Sequence, residues 1–540
     1  MPAPGADIQN RAIWGLPTML WMALVIMALV RFGLMLGTGP IHDEAYYWAW
    51  SQRLDYGYYD QPFLVGWLLW PFVSVLGDQA WVLRLVSGGL TLLTSVFLAR
   101  LALDLAAQTD ERGQVDAAQV RATSTGLGVL LLTSPALWGL GLFYVHDAVM
   151  MTFLSLGLLL GTGALQRGSM LLWLATGAAL ALAFSAKVSA ALWIAAFGLA
   201  FLLVPSGRAQ LRRAGPWLAA LIILAAAALF VLWNANHGWV TFRHVGAEHL
   251  APETDAPGER LGRAVLVLLA LIILTGPAAA QLWLWPARRD AGRPAGLAKL
   301  TKLTKLTSLG LLLLIALPAL FILGLSLTRE VLLNWLLPSA LVLSALAALR
   351  WPSSRPRPAA LASLGLSLTA SVVLCLVVLI PLMLREPRWM LSNARDIYGW
   401  EAAINDLVAY RDAEFPDHRI VGNYYLLASQ LAFHQNEVRA SVGDDPRPHQ
   451  FQLFAHAPAG GNSRAPGPVL VLTADQASGQ AALEGWFCDL QPLRPWRIVH
   501  RDFVIDTLFL FRVDDRLSDA KTSCEIPGET DESDKTDGPD

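Results

Sequence analysis

The sequence predicts a polytopic α-helical membrane protein of about eleven transmembrane helices, followed by a C-terminal α/β domain. Three observations carry this. Of 540 residues, 55% are hydrophobic and only 15% charged, where a soluble globular chain carries about 25%. Long apolar runs fill residues 13–384, and the mean hydropathy is +0.47. From Arg385 onward, apolar and charged residues alternate as in ordinary soluble protein. Because a single soluble core rarely exceeds roughly 250–300 residues, the composition excludes a soluble enzyme, a disordered chain and a small disulfide scaffold. The balance of 40 Lys+Arg against 42 Asp+Glu gives no reason to expect nucleic acid as a partner. The domains read as a membrane domain at 1–384 with its first outer loop at 38–78, an α/β domain at 385–520, and an acidic tail at 521–540.

About 20 apolar helical residues cross a bilayer, which places spans at 13–37, 79–104, 123–143, 148–165, 169–186, 188–204, 215–233, 261–286, 306–327, 331–349 and 359–384. The first run is too long for a signal-peptide core and lacks a small-residue cleavage site, so it is expected to remain as an anchor. With the N-terminus inside, the inner loops hold sixteen Lys and Arg and the outer loops seven. Arg208, Arg212, Arg213 and the threefold Lys-Leu-Thr run at Lys299–Thr307 fall among the inner ones. The positive-inside bias therefore predicts a cytoplasmic N-terminus, and an odd number of spans puts the C-terminal domain outside.

In that domain Gly399–Arg411 and Asp475–Trp486 have helical spacing. Arg419–Tyr425, Pro468–Thr473, Trp496–Val499 and Thr507–Val513 read as strands. Cys488 and Cys524 pair if the domain faces an oxidising compartment, and two unlinked thiols fit the spacing equally well. The last sixteen residues, with seven acids and one Lys, read as a disordered tail.

The first outer loop carries Ile41-His42-Asp43-Glu44-Ala45-Tyr46-Tyr47-Trp48, then Asp55-Tyr56-Gly57-Tyr58-Tyr59-Asp60-Gln61-Pro62. Trp and Tyr favour the headgroup level, which accounts for the rings. It does not account for adjacent carboxylates directly after a span, where charge is costly without a partner or a task. Rings beside carboxylates suit a sugar: the rings cover its apolar faces and the acids accept its hydroxyl hydrogens. One carboxylate can also take the proton of an attacking hydroxyl.

The segment Asp43-Glu44-Ala45-Tyr46-Tyr47-Trp48 followed by Gly57-Tyr58-Tyr59-Asp60-Gln61-Pro62 resembles glycosyltransferase family 39. That group includes the lipid A aminoarabinose transferases and the protein O-mannosyltransferases, all of GT-C fold. The resemblance implies a bacterial inner-membrane enzyme that takes a sugar from a polyprenyl-phosphate donor on the periplasmic side, with inversion. The acceptor would be an envelope lipid such as lipid A, a glycan or a protein. Carried over by position, Asp43 is the expected catalytic base, Glu44 orients or assists it, and Asp60 and Asp147 are the family's further acids. Relatives often place Lys or His and two prolines after the Asp60 position, whereas this chain has Gln61-Pro62-Phe63, so a cationic donor contact there is in question.

Substrate contacts are expected from Tyr46, Tyr47, Tyr59, Asp60, His146, Asp147, Lys187, Arg329 and Arg84. Asp147 also fits a plain helix cap, Lys187 a snorkelling turn lysine, and Arg329 an Arg–Glu pair at a turn. A guanidinium matches phosphate oxygens and stabilises a departing polyprenyl phosphate; Arg31 is a further candidate of this kind. His237, His244 and His249 with Glu248 and Glu253 contain zinc-ligand types, but their spacing matches no metal motif and a solvated lid is the favoured reading. No metal is assigned; a divalent cation is the cofactor left open. No nucleotide-binding motif is present, which argues against a nucleotide sugar as direct substrate. The competing class, a transporter or lipid flippase, calls for broken helices and midplane polar groups, whereas the ionisable residues here cluster at one face.

Overall fold

The structure, a computed structural model, describes residues 18–35, 38–107, 116–246, 256–284, 305–351, 358–383, 397–439, 441, 449–454, 468–484, 487, 490–500 and 503–514. The acidic tail, Cys488, Cys524, Glu248, His249 and Glu253 lie outside the described residues. The chain divides into two compact units, Met1–Tyr398 and Gly399–Asp540.

The first unit is helical: α1 (Thr18–Met35), α2 (His42–Gln52), α3 (Leu64–Leu76), α4 (Ala80–Ala106), α5 (Ala117–Leu132), α6 (Pro135–Leu140), α7 (His146–Arg167), α8 (Met170–Ala186), α9 (Ala190–Leu203), α10 (Pro205–Gln210), α11 (Ala214–Asn236), α12 (Val240–His244), α13 (Pro257–Thr275), α14 (Pro277–Leu284), α15 (Lys305–Ser326), α16 (Leu337–Ala347) and α17 (Pro358–Met383). Among the described residues, five helical stretches are long and apolar enough to cross a membrane by length and composition: Ala80–Ala106, His146–Arg167, Ala214–Asn236, Leu309–Ser326 and Leu333–Arg350.

Each of the eleven apolar stretches contains helix, and three are interrupted where the sequence breaks the backbone ladder. Pro135 and Pro277 each open a new helix, because proline fits the first turn but cannot donate to the preceding one. The stretch 331–349 begins as a 3₁₀ turn at Leu333–Leu336 before α16. The segment 38–78 is also more ordered than a loop, since it contains α2 and α3. Thirteen-residue α3 is too short for a bilayer, which is why a span ruler passes over it.

Apolar packing between α4, α7, α8 and α11 builds the core of this unit. Polar links inside it are short hydroxyl bonds of the kind that hold membrane helices together. Thr152 on α7 donates to the Leu90 carbonyl (2.9 Å) and meets Thr94 Oγ1 (3.1 Å) on α4. Outward faces stay apolar, as at Leu221 and Leu224 on α11 and Leu261 on α13. Water covers such continuous apolar faces poorly.

The second unit has a four-stranded sheet, β1 (Arg419–Gly422), β2 (Val469–Thr473), β3 (Leu490–His500) and β4 (Phe503–Val513), in the order β1-β2-β4-β3. β1 and β2 run parallel and the other pairs antiparallel. Every residue of β2 is buried, as expected of a central strand covered on both faces. Leu470 and Leu472 face α18 (Trp400–Glu414) and α19 (Tyr425–Gln435), while Val469 and Val471 pack with Leu483 of α21 (Gln476–Glu484); α20 is the short Gln450–Phe454. Trp496 locks α18 to the sheet by donating its indole N–H to the Ala403 carbonyl at 2.9 Å. Two features differ from the sequence reading. Arg419–Tyr425 is a strand only to Gly422, and the closing strands are longer, Leu490–His500 and Phe503–Val513, paired antiparallel.

Candidate functional site

Helix α2 starts immediately after an extended Ile41 and carries Asp43 and Glu44 in its first turn, where carboxylates complement the helix dipole. The two neighbouring acids have opposite surroundings. The Asp43 side chain is 40% exposed, and its nearest ionic partner is His42, 3.5 Å away. The Glu44 side chain is fully buried. It pairs with Arg84 of α4, accepts the Tyr144 N–H, and accepts the Ile41 N–H at 3.1 Å. Burial pushes the Glu44 carboxyl above the usual carboxylate range, while Arg84 and the two N–H donors pull the other way.

This geometry favours the orienting role among the two expected of Glu44 and corrects the role expected of Arg84. Glu44 is committed to backbone and guanidinium partners inside the fold, so it frames the site rather than assisting Asp43 directly. Arg84 is equally buried, spans Glu44 and the Gly39 carbonyl (2.9 Å), and stacks on Phe143. It ties α4 to the start of α2 instead of facing a donor phosphate. Arg31 is likewise an internal tie, with its guanidinium on the Leu137 carbonyl and over Trp138.

The aromatic residues also differ from expectation. Tyr46, Tyr47 and Tyr59 are buried. Tyr46 and Tyr47 meet Trp50 edge-on at 5.1 and 5.0 Å, and Trp50 stacks on Tyr58 at 4.3 Å. Edge-to-face and stacked pairs are preferred ring arrangements, so these rings pack against one another and do not open their faces to a sugar in this conformation. Tyr47 keeps a polar task, since its hydroxyl bonds to His146 Nδ1.

Around His146 the structure gathers residues far apart in sequence. Lys187, in the turn between α8 and α9, places Nζ 2.8 Å from Asp147 Oδ1. Asn334 donates to Asp147 Oδ2 at 3.1 Å, and His146 Nε2 lies 3.4 Å from the same oxygen. Gln61 contributes from the first loop, its side-chain oxygen accepting the Val188 N–H at 3.1 Å. Here the amide stands where relatives often carry a cation, and it anchors backbone.

Asp60 occupies a tight turn closed by Tyr58 N–H to the Gln61 carbonyl (3.0 Å), beside the Gly57–Pro62 bridge. A β-carbon at Gly57 would fall 2.4 Å from the Trp233 ring, so glycine there lets the turn lie flat on the end of α11. Asp60 is 20% exposed and lies 3.7 Å from His244 Nε2, whose ring meets Tyr59 edge-on. His244 therefore belongs to the site, whereas the sequence reading put it in a solvated lid. Its signal in sequence was only a histidine in a polar stretch. Asn334 was similarly inconspicuous. His237 stacks on Trp233 and bonds its carbonyl at 2.8 Å. Arg329 is half-buried and donates to the Glu330 carbonyl at 3.2 Å. Among the described residues no three His, Cys, Asp or Glu side chains gather as a metal site.

A bundle of long apolar helices that encloses the Asp147–Lys187 ion pair is the architecture of a polytopic helical membrane protein. Comparison with known proteins agrees. A profile of the family described as dolichyl-phosphate-mannose-protein mannosyltransferase matches residues 60–233, which includes Asp60, His146, Asp147 and Lys187 but not Asp43. The lipid A galacturonosyltransferase RgtD of Rhizobium johnstonii is 27% identical over 253 residues, 46% of this chain and 49% of that protein. The chain thus spans about half the length of the curated relative it matches. ArnT from Cupriavidus metallidurans has a similar fold, with a TM-score of 0.56 at 15% identity both bound to undecaprenyl phosphate and in the apo state. The first alignment covers 92% of this chain and 98% of that one, the second 91% and 97%. Over residues 60–233 and in its fold, the chain is thus similar to the family 39 and GT-C glycosyltransferases that its first loop resembles.

Proposed function

We propose that this chain is an inverting glycosyltransferase of the bacterial inner membrane, moving a sugar from a polyprenyl-phosphate donor to a lipid A-type envelope acceptor. The observation that carries the reading is Asp43, an accessible carboxylate on the first turn of α2 beside the Tyr47–His146–Asp147–Lys187 network. The likeness to a lipid A galacturonosyltransferase supports the acceptor class, and the ArnT complex with undecaprenyl phosphate supports the donor class.

In this mechanism the acceptor oxygen attacks the anomeric carbon from the face opposite the phosphate. Asp43 takes the hydroxyl proton as the bond forms. The glycosidic C–O bond breaks with its electron pair on the polyprenyl phosphate, whose charge is met by cationic residues at the same edge. Arg329 and Lys187 are assigned that task, Lys187 by exchanging the Asp147 carboxylate for the phosphate, and Asp60 with His244 binds sugar hydroxyls. Glu44 and Arg84 act as positioning residues that fix the start of α2. Eleven crossings with the N-terminus cytoplasmic put this edge and the α/β unit in the periplasm; a Gln52→Cys label at an exposed position tests that orientation with an impermeant thiol reagent.

The deciding experiment is mass spectrometry of lipid A, envelope glycans and proteins from cells with the chain, without it, and with Asp43→Asn. One sugar increment should vanish without the chain and stay absent with Asp43→Asn. Unchanged envelopes in all three would overturn the proposal. Purified protein should turn over with a polyprenyl-phosphate sugar and not with nucleotide sugars alone.

A further inference from the structure

Helices α7 and α8 run antiparallel, so the ends that carry His146 and Lys187 lie far from the turn at Arg167–Met170. Toward that turn the bundle contains a cavity of about 310 Å³, lined by Leu154, Trp173, Trp193, Phe197, Phe201 and Trp217 among others. None of the polar site residues lines it. Its one hydroxyl side chain, Thr176, already donates to the Leu172 carbonyl at 2.6 Å. Water needs two to four polar partners to settle in a cavity, and an apolar cavity of about 150 Å³ stays dry and takes an apolar guest. Protein interiors are otherwise close-packed.

We propose that this cavity holds an acyl chain of an anionic glycerophospholipid whose phosphate rests on Arg208, Arg212 and Arg213. Two lining residues, Leu202 and Trp217, are each 60% exposed, so the space reaches the apolar outer surface, where bilayer chains are the adjoining medium. The three arginines are exposed and lie in the segment joining α9 to α11. Two hydrogen bonds tie that segment to the cavity wall. Arg208 donates to the Leu202 carbonyl at 2.8 Å, and Trp217 donates to the Leu211 carbonyl at 2.7 Å. Forked guanidinium donors match phosphate oxygens, and three of them favour an anionic headgroup over a zwitterionic one. The site is separate from the proposed chemistry and does not depend on it.

The test uses the full chain reconstituted in phosphatidylcholine bilayers containing phosphatidylglycerol with a photoreactive group at the chain end. Cross-links should map to 154–161, 173–180 and 193–202. Unlabelled phosphatidylglycerol should compete for them better than phosphatidylcholine, because basic side chains near the surface favour anionic lipid. A β-carbon at Gly198, which lines the cavity, meets nothing within 4 Å, so Gly198→Phe should fill the space and abolish the cross-links. If that variant melts early, Ile194→Trp fills it from one turn away. Replacing all three arginines by Gln should keep the cross-links and erase the headgroup preference. Cross-links that survive in a folded cavity-filled variant, equal competition by the two lipids, or selective displacement by a polyprenyl phosphate would each overturn the proposal.

Discussion

The Lys187 ammonium lies 2.8 Å from the Asp147 carboxylate, joining two side chains forty residues apart that are both almost wholly enclosed. Buried charges persist only when paired and hydrogen-bonded, and here Asn334 and His146 complete the shell of Asp147. The pair brings the α8–α9 turn, the start of α7 and the segment before α16 to one place.

That pair has separable structural and functional contributions. Lys187→Met leaves the Asp147 charge buried without its cation and should cost about 3–5 kcal/mol, read as an earlier thermal unfolding in detergent. The double variant Lys187→Met/Asp147→Leu should recover most of that stability. Its transfer rate should stay low, because the cation at the donor edge is still missing. Recovery of both stability and turnover would make the pair purely structural.

Asp43→Asn preserves size and most hydrogen bonding but removes the basic oxygen. General base catalysis contributes about 10²–10⁴-fold, so kcat at saturating donor should fall by that order while donor binding and thermal unfolding stay near those of the parent. A near-normal kcat would remove Asp43 from the chemistry.

Glu44 and Arg84 should behave differently from Asp43. Either Glu44→Gln or Arg84→Met leaves its partner enclosed, and the signature should be lost stability, on the order of 3 kcal/mol or more. At a temperature where the variants remain folded, their kcat should exceed that of Asp43→Asn. A double-mutant cycle on thermal unfolding should show strong coupling between the two sites.

In the α/β unit, burial lowers the His434 pKa from 6.5 to about 4. The folded unit resists protonation there while the unfolded chain does not. This contribution is therefore intact above about pH 6.5 and is lost as pH falls toward 4. Hydrogen exchange of peptides from α19 should accelerate over that window, and His434→Phe should flatten the dependence.

The acids of the first loop were visible in sequence because Asp43 and Glu44 stand beside an apolar run, where uncompensated charge is costly. Their division of labour was not visible. Two adjacent carboxylates on a helix point about 100° apart, so one faces Arg84 and the other stays accessible, and only packing decides which. The aromatic residues illustrate the same limit. A cluster of Tyr and Trp is readable as a set, yet Tyr46, Tyr47 and Trp50 turn inward because their closest ring partners lie on their own helix and at Tyr58.

By itself the sequence determined the membrane class, the helical stretches and the position of the acidic aromatic motif. These follow from local quantities: apolar run length, charge placement and proline breaks. Tertiary structure alone decided that Lys187 meets Asp147, that Asn334 joins them, and that His244 reaches Asp60. Each of these contacts joins segments that helix lengths and crossing angles bring together, and no periodicity in one segment encodes the partner in another. The energetic demand that an enclosed charge find its counter-charge makes such pairs definite once the helices have packed.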